Sequence, residues 1–368
     1  MPEIEIGAGK SGRRGYSLDD VSVVPSRRTR DPEDVDISWS IDAYKFPLPL
    51  MAAAADSVVS PASAAEIGRL GGLAVLNLEG LWTRYEDPQP LFDKISGVPP
   101  HEATRCLQEL YAVPIQASLV TERIREIASS GVVTCGSLSP QRTTQFAKAV
   151  VEAELDLLVI QGTVVSAEHL SKRSEPLDLK RFIREYEIPV VVGGCTSGPA
   201  ALHLLRTGAV GVLVGVGTGN ASTARAVLGL GAPHATAIAD VAGARSRHLE
   251  ETGVYAHVIA DGGMSTSGDI TKAIACGADA VMIGGPLASA SEAPGRGCYW
   301  EMAASHSRLP RGSVVGAPQR GTLEEILLGP AHVSDGALNL FGGLRAAMAM
   351  CGYASVRDFH KVDVVVAS

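Results

Sequence analysis

No CxxC pair, no HExxH motif and no apolar run of bilayer length occur in these 368 residues, and each absence argues against a class of protein. Six cysteines (Cys106, Cys135, Cys195, Cys276, Cys298 and Cys351) are scattered along the chain, so they are expected to be reduced and mostly buried. The nine histidines show no ligand spacing, which leaves a zinc site without support. The opening MPEIEIGAGKSGRR has no apolar signal core, and nothing reads as a membrane span. Positive charge is also short: 32 Lys and Arg face 40 Asp and Glu, a net charge of −8. That balance argues against a nucleic-acid surface, and the cluster Arg27, Arg28, Arg30 reads as a solvated loop. None of the lysines sits at the carboxyl end of a predicted strand, which argues against Schiff-base chemistry. These absences together predict a cytoplasmic, soluble protein with no membrane and no nucleic-acid partner.

Glycine and small aliphatic residues are abundant instead. Forty glycines and a 46% hydrophobic content with 5% aromatics suit short buried strands joined by tight loops. From residue 47 onward apolar runs alternate with helical segments. Strands are predicted near 49–54, 73–77, 132–136, 156–161, 189–193, 210–215, 256–261 and 280–284, with helices over 61–69, 141–153, 198–207 and 267–276. Runs of Val, Ile and Ala without polar alternation are what parallel strands buried on both faces require. Eight such units predict an α/β fold of the (β/α)8 TIM-barrel type, a length that one domain can carry. VPIQAS (113–118) and TAIAD (236–240) are further strand candidates. An internal repeat supports the barrel: VGGCTSGPAALHLLRTGAVGVLVG (192–215) lies over DGGMSTSGDITKAIACGADAVMIG (261–284) without a gap.

The glycines fall where barrel active sites form, at the carboxyl ends of strands. ADGG (260–263) and IGG (283–285) lie on the last two predicted strands, the usual phosphate position in such barrels. GVGTGNASTAR (215–225) follows the sixth strand, and its bare backbone suits a phosphate or an ion. The shoulder of that loop carries Ser222, with no base beside it in sequence.

With these motifs in place, the chain resembles the inosine-5′-monophosphate dehydrogenase and guanosine-5′-monophosphate reductase family. YSLDDVSVVPS (16–26), PLMAAAADSVVSPASAAEIGRLGGLAVLN (49–77), the two Gly-Gly segments, the glycine loop and LFGGLRAAMAMCGYASVRDF (340–359) follow in the family's order over nearly the whole chain. The likeness is closest to a dehydrogenase-related branch without paired regulatory CBS modules. Residues 78–130 stand where that insertion would be, as a short connection within one barrel spanning 1–368.

The resemblance implies a purine nucleoside monophosphate held by Gly262, Gly263, Gly284 and Gly285, with Asp261 on the ribose hydroxyls and Asn220 at a phosphate-contact position. It implies NAD or NADP as hydride partner, a potassium ion near Gly217 and Gly219, and a homo-oligomer, a tetramer by family. The family's catalytic cysteine falls on Ser222, followed by Thr223. Two polar positions associated with the cofactor side fall on Gln161 and Cys195. The Arg-Tyr flap has no counterpart in GRGCYWEMAASHSRLPRG (295–312). Serine is a far poorer nucleophile than cysteine unless a base takes its proton. Three readings stay open: an oxidoreductase of purine nucleotides, a nucleotide-binding homologue that has lost hydride chemistry, and an FMN-dependent barrel.

Overall fold

The computed structural model describes residues 3–172 and 175–367. Its centre is a ring of parallel strands: β1 (Leu50–Ala52), β2 (Leu73–Ala74 continuing as Leu76–Asn77), β3 (Cys135–Leu138), β4 (Leu157–Gln161), β5 (Val190–Cys195), β6 (Gly211–Val214), β7 (His257–Asp261) and β8 (Ala280–Ile283). Nine hydrogen-bonded segments make eight strands, because β2 is interrupted at Val75. Its first half pairs with β1 (Met51↔Leu73, Ala52↔Ala74) and its second with β3 (Leu76↔Gly136, Asn77↔Ser137). The Val75 N–H still reaches the Ala52 carbonyl at 3.2 Å, so the ring closes without an open edge. The chain therefore folds as a (β/α)8-type barrel.

Two apolar layers hold it. Met51, Val75, Leu157, Val159, Val191, Leu213, Ile259 and Met282 fill the barrel, while the outward-facing residues pack under the helices. The amino-terminal end is plugged by the hairpin Trp39–Ile41 and Tyr44–Phe46. Trp39 stacks on Phe46 and meets His257, at the start of β7, edge-on at 5.9 Å. With that end sealed, the opposite end is the open one.

The internal repeat is visible as structure. Ser197 and Thr266 occupy equivalent positions and cap the helices Gly198–Leu205 and Ser267–Ala275 by accepting from Ala200 and Asp269 N–H groups. Gly208 and Gly277 then turn the chain into the next strand at φ 101° and 112°. The two extra strand candidates are not strands. Residues 236–240 lie inside the helix His234–Thr252, and 113–118 runs as loop into the helix Ala117–Ala128. Both segments are too short for periodicity to tell a strand from a helix or a loop. No helix among the described residues is long and apolar enough to cross a membrane.

Between β2 and β3 lie the helices Gln89–Gly97, Pro100–Leu110 and Ala117–Ala128. They carry Tyr111, whose hydroxyl donates to the buried Asp56 carboxylate and accepts from the Trp300 indole N–H at 2.9 Å. Asp56 also takes the Leu81 N–H at 2.9 Å, yet burial pushes its carboxyl up to about 6. Tyr111→Phe leaves a buried carboxylate and a buried indole N–H short of a partner, and should cost about 2–4 kcal/mol. Urea unfolding of the two proteins checks this; a loss below about 1 kcal/mol, the worth of an ordinary hydrogen bond, would show that Trp300 is held by packing alone.

Candidate functional site at the barrel mouth

Alternate residues of a strand face the same side. Leu157 and Val159 point into the barrel, so the next inward position on β4 is Gln161; by the same step Ile259 leads to Asp261 on β7. Two strands separate β4 from β7, and the Gln161 side-chain amide nevertheless donates to Asp261 Oδ2 at 3.2 Å, straight across the mouth. After Val191, Leu213 and Met282 the same step reaches Gly193, Gly215 and Gly284. The apolar filling thus ends in a layer of glycines and two polar side chains, which leaves a bowl.

Three backbone segments form its rim. Gly262 and Gly263 turn at φ 73° and 72°, which L side chains rarely adopt, and a Cβ on either would run into Thr218. The Thr218 hydroxyl donates to the Asp261 carbonyl at 2.6 Å, tying the glycine loop to the end of β7. Asn220 reaches the third segment: a Cβ on Gly285 would lie 3.4 Å from its carboxamide oxygen. Asn220, Asp261, Gly262, Gly263, Gly284 and Gly285 are therefore gathered in one place, with Gln161 beside them. Gly217 lies at the far edge of the loop against the Arg225 side chain, and Gly219 faces inward.

Ser222 sits half-buried where the loop meets the segment 298–316. Its hydroxyl accepts from the Ala224 N–H at 3.4 Å, at the start of the short helix Ala224–Leu228. Thr223 makes no side-chain cap, and its N–H goes to the Arg311 carbonyl at 3.0 Å. Among the described residues no histidine or lysine hydrogen-bonds the Ser222 hydroxyl. Cys195 presents nothing to the mouth: it is 2% exposed, its Sγ faces the Leu213 carbonyl at 3.4 Å, and burial pushes the thiol up to about 12. Of these two, Gln161 faces the mouth and Cys195 lies in the barrel wall.

The strongest electrostatic feature of the bowl comes from residues that spacing does not reveal. The segment 298–316 crosses the mouth, with Cys298–Tyr299 pairing antiparallel to Val315–Gly316. Trp300 is fixed outward, its backbone N–H on Ser57 Oγ at 3.2 Å, its ring 6.0 Å from Phe92 and its indole on Tyr111. The flanking Tyr299 and Glu301 face inward. The Tyr299 hydroxyl abuts Gly284 and lies 3.4 Å from Glu301 Oε1, and that same oxygen presses on the Cα of Gly219. Burial, then the Glu301 charge, raises Asp261 to about 7 against the opposing Gln161 hydrogen bond. Burial likewise raises Glu301 to about 7 against its bond with Tyr299. No basic side chain offsets either carboxyl. Burial is thus the leading cause in both, and the Glu301 charge adds to it at Asp261.

A family profile described as IMP dehydrogenase / GMP reductase domain matches residues 15–368. The chain belongs to the IMP dehydrogenase / GMP reductase family. It is 48% identical to an uncharacterized oxidoreductase of Mycolicibacterium smegmatis over 99% of this chain and 100% of that one. It is 25% identical to the inosine-5′-monophosphate dehydrogenase of Methanocaldococcus jannaschii over 95% and 92% of the two chains. The crystal structure of an IMP dehydrogenase/GMP reductase-like protein from Corynebacterium glutamicum superimposes with a TM-score of 0.94 at 47% identity, covering 99% of this chain and 97% of that one. The family resemblance read from the glycine motifs is thereby established.

The position of Cys195 carries a direct consequence. Native protein should leave this thiol unmodified by iodoacetamide near about pH 8, whereas guanidinium-unfolded protein should alkylate it fully, because the thiolate is the reactive form. Peptide mass mapping reads the difference. Prompt labelling in the native state would mean that the β5 end opens onto the mouth.

Proposed function

We propose that the open end of this barrel binds a purine nucleoside monophosphate as an IMP dehydrogenase / GMP reductase-related oxidoreductase of purine nucleotide metabolism. The observation that carries the reading is the convergence of the Gly262–Gly263 turn, the Gly284–Gly285 turn and the loop at Asn220 around one bowl with Asp261 in its floor. Backbone N–H groups at such turns supply preset donors to phosphate oxygens, and a carboxylate accepts two ribose hydroxyls. Gly285 opens the helix Gly285–Ala288, which adds its N-terminal N–H groups to the same corner.

Hydride chemistry with NAD or NADP is the family's trade, and a nicotinamide would supply the hydride acceptor or donor when bound. This chain's own residues fit that step poorly. Ser222 lacks a base and Cys195 is sealed, so neither attacks a purine carbon near neutral pH. We therefore assign weak or absent turnover of IMP and GMP to the wild type, with Ser222 serving the start of the following helix. The same observation favours a second reading, a homologue that binds the nucleotide without oxidising or reducing it. Potassium at Gly217 and Gly219, and a homo-tetrameric assembly, are carried over from the family as part of the proposal.

IMP or GMP at about 100 times its Kd should raise the stability of the fold by about 2.7 kcal/mol, a rise of a few degrees in Tm. Gly285→Val should abolish that rise while leaving the protein folded, since a Cβ there first meets Asn220 at ordinary contact distance and needs no left-handed backbone. No Tm shift with any purine monophosphate at millimolar concentration would overturn the site. Ser222→Cys restores a thiol at the shoulder and should form an adduct with a 6-chloropurine nucleotide, visible by intact mass, where the wild type forms none. Wild-type turnover at the rate of an ordinary dehydrogenase, followed by NAD(P)H absorbance, would show that another group supplies the nucleophile.

A further inference from the structure

The bowl that fits a phosphate already holds a carboxyl group. Glu301 Oε1 lies against the Cα of Gly219, the Tyr299 hydroxyl lies against Gly284, and the two side chains meet at 3.4 Å. They stand between the three glycine segments that would cradle the ligand's anion. The groups facing Glu301 are Tyr299 on its own segment, Asp261 at the end of β7 and Gly219 on the glycine loop, and none of them is a cation. Glu301 does not drift there on a free loop. Trp300, its neighbour, is anchored on the opposite side through Ser57 and Tyr111, so residue 301 is directed inward by the alternation of the extended backbone that continues past Tyr299. An ionised carboxylate and a phosphate ester in one shielded bowl repel strongly, and removing the proton-dependent charge is the cheapest relief.

We propose that Glu301 is a specificity-determining residue of this site: a phosphate monoester enters the cradle only as the Glu301 carboxyl takes up a proton. The inference rests on the nucleotide reading above and adds its proton coupling. The sign follows from the raised carboxyl, at about 7 in the free protein and held there by burial. Glu301 is mostly neutral below that value and mostly charged above it. Phosphate affinity therefore falls as pH rises, even though the ligand's own second ionisation, near about 6, proceeds in the other direction. A neutral nucleoside carries no charge for Glu301 to oppose.

Titration calorimetry of IMP and of inosine against wild type and Glu301→Gln, at about pH 6 and about pH 8, tests this. In the wild type the IMP Kd should weaken about tenfold between the two, the change in the neutral fraction of a group titrating midway. Glu301→Gln keeps the shape without the charge. It should bind IMP at the higher pH about tenfold more tightly than the wild type and lose the weakening with pH. Inosine should bind both proteins alike. Melting curves confirm that the variant is folded, and Glu301→Ala serves as a second neutral form. IMP binding to the wild type that is equal at both pH values and unchanged in Glu301→Gln overturns the inference and leaves the nucleotide site standing. An equal gain for inosine and IMP also overturns it, since Glu301 would then act by filling space. Failure of every form to bind IMP overturns the nucleotide site and this inference together.

Discussion

Closure of the strand ring is the constraint on which everything else rests. Each of the eight strands is only a few residues long and would be unstable alone, but in a ring every backbone group finds a partner on both sides. The ring closes at its weakest point, the broken second strand, where Leu73–Ala74 serves β1 and Leu76–Asn77 serves β3. Closure also defines an inside, and the inside has two different ends. Trp39, Phe46 and His257 seal one with aromatic packing, so polar side chains and glycines collect at the other.

The mouth then inherits its character from what lies one step beyond the apolar filling. That step yields Gln161 and Asp261 as side chains and glycines elsewhere, so the bowl is roomy, polar and lined with backbone. What crosses it is decided from outside the barrel. The helices between β2 and β3 hold Tyr111 against Asp56 and Trp300, and this buried network orients the segment that delivers Tyr299 and Glu301. A stability feature in the periphery thereby sets the charge of the site. The bowl holds two buried carboxyls, and burial raises both with no basic side chain beside them.

Membership of the IMP dehydrogenase / GMP reductase family explains why the glycine turns and the loop stand where they do. It does not by itself supply the chemistry, because fold and reaction are separable and the reacting group is a single side chain. In this chain the Ser222 hydroxyl accepts a helix N–H, and the Cys195 thiol lies in the barrel wall.

Local pattern carried much of this. Uninterrupted apolar runs and Gly-Gly turns at a fixed spacing determined the barrel, its helices, the order of its strands and the position of the glycine segments, since these depend on side-chain period and on backbone freedom within a few residues. The same pattern failed at 113–118 and 236–240, stretches of five or six residues too short for their few apolar positions to fix a period. Gln161 and Asp261 were marked by their place at strand ends, but their bond across the mouth needed the ring. Cys195 shares that address and is nonetheless buried, because the last turn of β5 rotates its side chain toward Leu213. Glu301 and Tyr299 carried no signal at all. They act on the site through a segment whose path is fixed by Trp300, Tyr111 and Asp56, residues far apart in sequence, and only tertiary packing decides which side of that segment faces in.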